Sequence, residues 1–149
     1  MENRTFKILI ALLAMTVFTT ACKKEAPDQW LQDNITIIGK VPVIASFTVK
    51  PPQNTSVTPG SSLELDLRYW SDEPIDKINL TSTVGTGAPA LVSTTAYKAA
   101  YSKVSRTDSL ILPYVVPAGL AVGTKISVEV EVVNQNTLTK KLVLPLTVK

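Results

Sequence analysis

Histidine is absent from this chain, and cysteine occurs once, at Cys22. Without histidine the commonest general base and the commonest metal ligand are both missing. A Ser-His-Asp or Cys-His device is therefore excluded by composition. A single cysteine cannot form an intrachain disulfide, so the fold must rest on its hydrophobic core. Aromatic residues make up only 6% of the chain, so each tryptophan and tyrosine can be considered individually. No glycine-rich phosphate loop leads from a strand into a helix, and no spacing matches a calcium loop. The longest apolar stretch, Ile8 to Phe18, is too short to span the roughly 30 Å hydrocarbon core of a bilayer.

That stretch nonetheless carries information. Arg4 and Lys7 precede it, and the small residues Thr20 and Ala21 follow it, directly before Cys22. A charged start, an apolar middle and a small-residue cleavage site read as an export signal over residues 1–21. With a cysteine immediately behind, residues 1–22 resemble the signal and lipobox of bacterial lipoproteins. Thr19 departs from the aliphatic residue usual three positions before the cysteine. The resemblance implies that Cys22 begins the mature chain, carries a diacylglycerol and anchors the protein to a membrane. An ordinary cleaved signal with an incidental cysteine is the other reading. The stretch Lys23-Lys24-Glu25 to Asp28 resembles the surface-export signals of Bacteroidota lipoproteins, a group whose lipobox is looser. Its plain alternative is a solvated tether. The implied location is the outer membrane, at the cell surface or on the periplasmic face.

Removing residues 1–21 takes away Glu2, Arg4 and Lys7, leaving 128 residues and lowering the net charge from +3 to +2. That length suffices for one domain. The near-neutral balance gives no reason to expect nucleic acid as a partner. Residues 22–40 read as a lipidated tether, with a β-prone run at Ile35–Ile38 and with Trp30 either at the membrane interface or folded back on the domain.

From residue 41 onward the apolar residues alternate with a period of two, the pattern of half-buried strands. The alternation predicts one inward face from Val43, Ala45, Phe47 and Val49, and another from Leu63, Leu65, Leu67 and Tyr69. Further inward rows are Ile78, Leu80, Ser82 and Val84; Leu110, Leu112, Tyr114 and Val116; Ile126, Val128, Val130 and Val132; and Leu142, Leu144, Leu146 and Val148. Pro113 places its strand at an edge or on a bulge. Asn134-Gln135-Asn136 is a hairpin-turn candidate. Residues 89–106 read as an irregular edge strand, with a short helix over Ala96–Val104 as the alternative. About seven strands without a long helical period predict an all-β fold, an immunoglobulin-like β-sandwich over residues 41–149. The pattern resembles the Ig-like domains of Bacteroidota lipoproteins. It lacks the cysteine pair and the tyrosine corner of antibody domains, so antibody function does not carry over.

The candidate contact residues are Trp70, Tyr97 and Tyr101. Alternation puts Trp70 on the solvent face beside Glu64, Asp66 and Arg68, where it can stack on a sugar or anchor a partner. Otherwise it caps the rim of the core. Tyr97 and Tyr101 either complete a glycan platform or fill the sandwich edge. The carboxylates at Glu64, Asp66, Asp72, Glu73, Glu129 and Glu131 lie on outward faces or turns. There they solubilise a sheet rather than flank a scissile bond. Asp108-Ser109-Leu110 resembles a short O-glycosylation motif of Bacteroidota. The sequence thus predicts a lipid-anchored, non-catalytic binding or assembly module, with no metal and no cofactor. Its partner is a polysaccharide or an envelope protein. The alternatives are a structural spacer or complex subunit and, last, a carboxylate hydrolase.

Overall fold

The computed structural model describes residues 39–149, which form an all-β structure of two stacked sheets. The signal, Cys22, Trp30 and the Ile35–Ile38 run lie outside the described residues. The strands are β1 (Val43–Val49), β2 (Ser56–Val57), β3 (Ser62–Trp70), β4 (Ile75–Val84), β5 (Ala90–Ala96), β6 (Tyr101–Ser102), β7 (Thr107–Val115), β8 (Lys125–Asn134) and β9 (Thr139–Val148). Seven are long and two are two-residue fragments. One sheet has the order β1-β3-β7-β6, the other β2-β9-β8-β4-β5. All pairings are antiparallel except that of β2 with β9.

The alternation in the sequence explains the core. Leu65, Leu67, Leu80, Leu112, Val128, Val130, Leu144 and Leu146 are all buried between the sheets. Glu64, Asp66 and Arg68 point outward from the same β3 strand, as a period of two requires. No helix forms at Ala96–Val104. The segment is the end of β5, a short connection and β6, at the edges of the two sheets.

Two inward rows differ from the expectation. In β1 the register shifts between Ile44 and Ser46. This bulge moves the alternation by one residue. Ile44 therefore packs on the core, while Val43 and Ala45 stay exposed. In β9 the inward row begins only at Leu144. Leu142 is exposed: it lies on β9, whose outer side is paired by β2 only at Thr147 and Val148.

The sandwich has two distinct ends. At one, the chain enters through Gly39 and Lys40, and the turns after β3 and β8 meet. Asn134 ties them together, its Nδ2 donating to the Lys40 carbonyl at 3.1 Å and to Ser71 Oγ at 2.9 Å. Gly39 is at φ 122°, a conformation that favours glycine, and a Cβ there would meet Asn136 Nδ2. At the far end lie the β4–β5 hairpin around Gly85 and the β7–β8 connection from Val116 to Thr124.

Candidate functional site

The two sides of the sandwich are closed to different degrees. On one side β1 packs against β9. On the other, β5 and β7 are separated by a cleft of about 550 Å³ at the end remote from chain entry. Its walls are Val84, Ala88, Ala90 and Val92 from the β4–β5 side, and Pro113, Val115 and Pro117 from the β7 side. The local sequence accounts for the opening. The inward positions of β5 carry Ala90, Ser93 and Thr95, cross-strand from Ser82, Leu80 and Ile78. These short side chains leave sheet-to-sheet space that a leucine would fill.

At the cleft floor, Ser82 Oγ and Tyr114 Oη lie 2.7 Å apart and join the two sheets. Each hydroxyl thereby finds a partner in otherwise apolar surroundings, as buried polar groups require. The tyrosine ring is 2% exposed, so it lines the floor without offering a flat face.

Both walls are also strand edges. β6 covers only Thr107 and Asp108 of β7. Val116 N–H donates to the Ser61 carbonyl and Ser109 N–H to the Ala100 carbonyl. Alternate residues of a strand address opposite sides. The main-chain groups of Ile111 and Val115 therefore point away from β3, into the open side. Pro113 falls on this outward-pointing set, where its missing N–H costs no ladder bond. Its expected place at an edge is what the structure shows. On β5, Tyr97 N–H donates to the Asp76 carbonyl, so the main-chain groups of Thr94 and Ala96 face away from β4. Leu91 and Val92, at a register shift in β5, are 67% and 42% exposed.

No charged residue occurs from Ile78 to Tyr97 or from Ser109 to Thr124. These two runs build both walls of the cleft and the far end of the domain. Depletion of charge marks the centre of protein interfaces more reliably than hydrophobicity does. The strand-by-strand reading missed this feature, although the two uncharged runs are visible in the sequence. Only the fold brings them side by side.

The three aromatic candidates do not share a surface. Trp70 points outward from β3, 40% exposed, with Val43 as its cross-strand neighbour. Tyr97 turns inward. Its ring packs edge-on against Tyr69 at 6.4 Å, and its hydroxyl donates to Asp108 Oδ2 at 3.0 Å. Tyr101 is 63% exposed and lies in the cross-strand row of Asp108 and Tyr69, the row opposite in facing to Trp70. Asp108, the first residue of the Asp-Ser-Leu triplet, is buried and also accepts from Ala100 N–H at 2.8 Å. Burial, with the charge of Asp108 next in importance, pushes the Tyr69 phenol up to about 12. Burial and the bond to Asp108 raise Tyr97 as well.

Of the outward or turn carboxylates singled out from the sequence, all but Glu73 are engaged with cations. Arg68 holds Asp66 through two nitrogens, Lys50 holds Glu64, Lys40 holds Asp72, and Lys141 bridges Glu129 and Glu131. Hydrogen bonds run from Thr94 through Asn79 to Glu131 across the outer face of the second sheet. Among the described residues, no three acidic or thiol side chains converge as a metal site.

No protein-family model matches this chain, and no curated protein matches it in sequence.

Proposed function

We propose that this protein is a lipid-anchored, non-catalytic assembly module of the bacterial outer membrane that holds an envelope protein in its β5–β7 cleft. The observation that carries the reading is the cleft itself: apolar, flanked by two strand edges and built from two uncharged runs. The anchoring half rests on Cys22 behind its apolar segment and small residues. The described chain begins at Gly39, at the end of the sandwich remote from the cleft.

The immunoglobulin-like assignment draws support from strand order. β1-β3-β7-β6 corresponds to A-B-E-D, and β5-β4-β8-β9 to C′-C-F-G. Polysaccharide capture loses its motive, because Trp70, Tyr97 and Tyr101 do not present a common flat face. Hydrolysis is disfavoured by carboxylates that face outward and are occupied by lysine or arginine.

The test is recovery of envelope partners with the full-length lipoprotein, solubilised in detergent. Val92→Lys places a charge in the cleft and is expected to strip the partner away. Trp70→Ala alters the outer face and is expected to leave it bound. Release by Trp70→Ala with retention by Val92→Lys would move the site to the outer face of the first sheet and overturn the proposal.

A further inference from the structure

We infer that the cleft takes up an extended, uncharged segment of a separate envelope protein, which adds as a strand to the free edge of β5. This rests on the cleft being the binding site and names the form and chemistry of what enters it.

Three properties of the cleft select that occupant. The first is charge. Neither wall carries a charged residue, so a phosphate, a nucleic acid or an acidic sugar would lose its hydration without finding a counter-charge. The second is the lack of a stacking surface. Tyr114 is buried and its hydroxyl is bonded to Ser82, so a sugar ring finds no aromatic face. The third is the backbone. The main-chain donors and acceptors of Thr94 and Ala96 face outward along β5, two residues apart, which is the repeat at which a strand presents one side. An extended polypeptide satisfies such a row in series, while its alternate side chains enter the apolar space beside Val84, Val92 and Val115.

The edge is also open to such a partner. Edge strands are commonly blunted by lysine or proline. β5 has neither, and although it is irregular at Leu91–Val92, residues 93–96 run in unbroken register with β4. The facing edge of β7 does carry Pro113, which removes a donor there and favours β5 as the pairing edge. A second copy presenting its own β5 edge is the competing occupant, and the cross-link below distinguishes it. The inferred occupant is an extended segment with small or medium apolar residues at alternate positions, which suits the apolar walls.

A photoreactive residue placed at Ala88, which is exposed and lines the cleft, reports the occupant in the full-length protein within the intact envelope. The expected adduct joins one envelope protein through an uncharged, alternating peptide, identified by sequencing the cross-linked fragment. Thr94→Pro removes the outward N–H without touching the β4 ladder. It is expected to lower the adduct about tenfold, the effect of losing one or two hydrogen bonds, with the melting temperature little changed. Ala96→Pro serves as the second variant if Thr94→Pro unfolds. If both folded proline variants keep the adduct while Val92→Lys abolishes it, the cleft binds its partner without strand addition, and this inference falls alone. If Val92→Lys also keeps it, the cleft is not the site and the proposed function falls too. An adduct with a second copy, a polysaccharide or a lipid overturns the inference.

Discussion

At the scale of single residues, the inward leucines and valines carry the stability. Leu80 is fully buried at the centre of the core, between β5 and β8 in its sheet. Leu80→Ala is expected to destabilise by about 3 kcal/mol, from lost transfer energy plus the cavity left behind. Denaturant unfolding with unchanged m-value checks this. The tyrosines near Asp108 give a pH signature. Tyr69 is held neutral up to about 12, against an ordinary value of 10.0, and Tyr97 is shifted in the same direction. A raised phenol favours the folded state while the unfolded phenol remains neutral. That stability is complete below the unfolded value and is lost as pH rises from about 10 through about 12. Unfolding midpoints across alkaline pH should fall in that window, and Tyr69→Phe should flatten the decline. The inward position of Tyr69 was legible from alternation. The role of Tyr97 was not, because its partner Asp108 lies on another strand and reaches it only through the fold.

At the scale of elements, alternation located every long strand except β5 and identified the buried side of most. Its failures have two causes, the first being that a period of two assumes an unbroken pleat. The β1 bulge broke that assumption at Ala45 and brought Ile44 inward in place of Val43. Leu142 failed differently, since alternation alone does not say that the outer side of β9 is covered only at Thr147 and Val148. Pro113 was informative because a missing N–H is tolerated only where no ladder bond is needed. The β5 segment was the hardest to read. Its small and hydroxylated residues have no strong periodicity, and the same smallness opens the cleft. Ala90→Leu is therefore expected to fill part of the opening, to leave the melting temperature unchanged or raised, and to weaken partner recovery from the envelope. A lowered melting temperature with undiminished recovery would show that the space at Ala90 is not the one the partner uses.

At the scale of the whole molecule, charge is distributed unevenly. Lysine, arginine and carboxylates pair on the outward faces and near the entry end, while the runs Ile78–Tyr97 and Ser109–Thr124 have none. A solvated spacer gains nothing from leaving one side uncharged, whereas a binding face does. Cys22→Ser is expected to abolish acylation and move the protein out of the detergent phase, with the domain's unfolding transition unchanged. Mass analysis and phase partitioning check this. The most direct test of the cleft is hydrogen exchange on the full-length protein, compared between the purified form and the intact envelope. Added protection confined to peptides from residues 85–97 and 109–116 is the predicted result. Protection centred on the outer faces around Trp70 or Glu131, or no difference between the two forms, would contradict it.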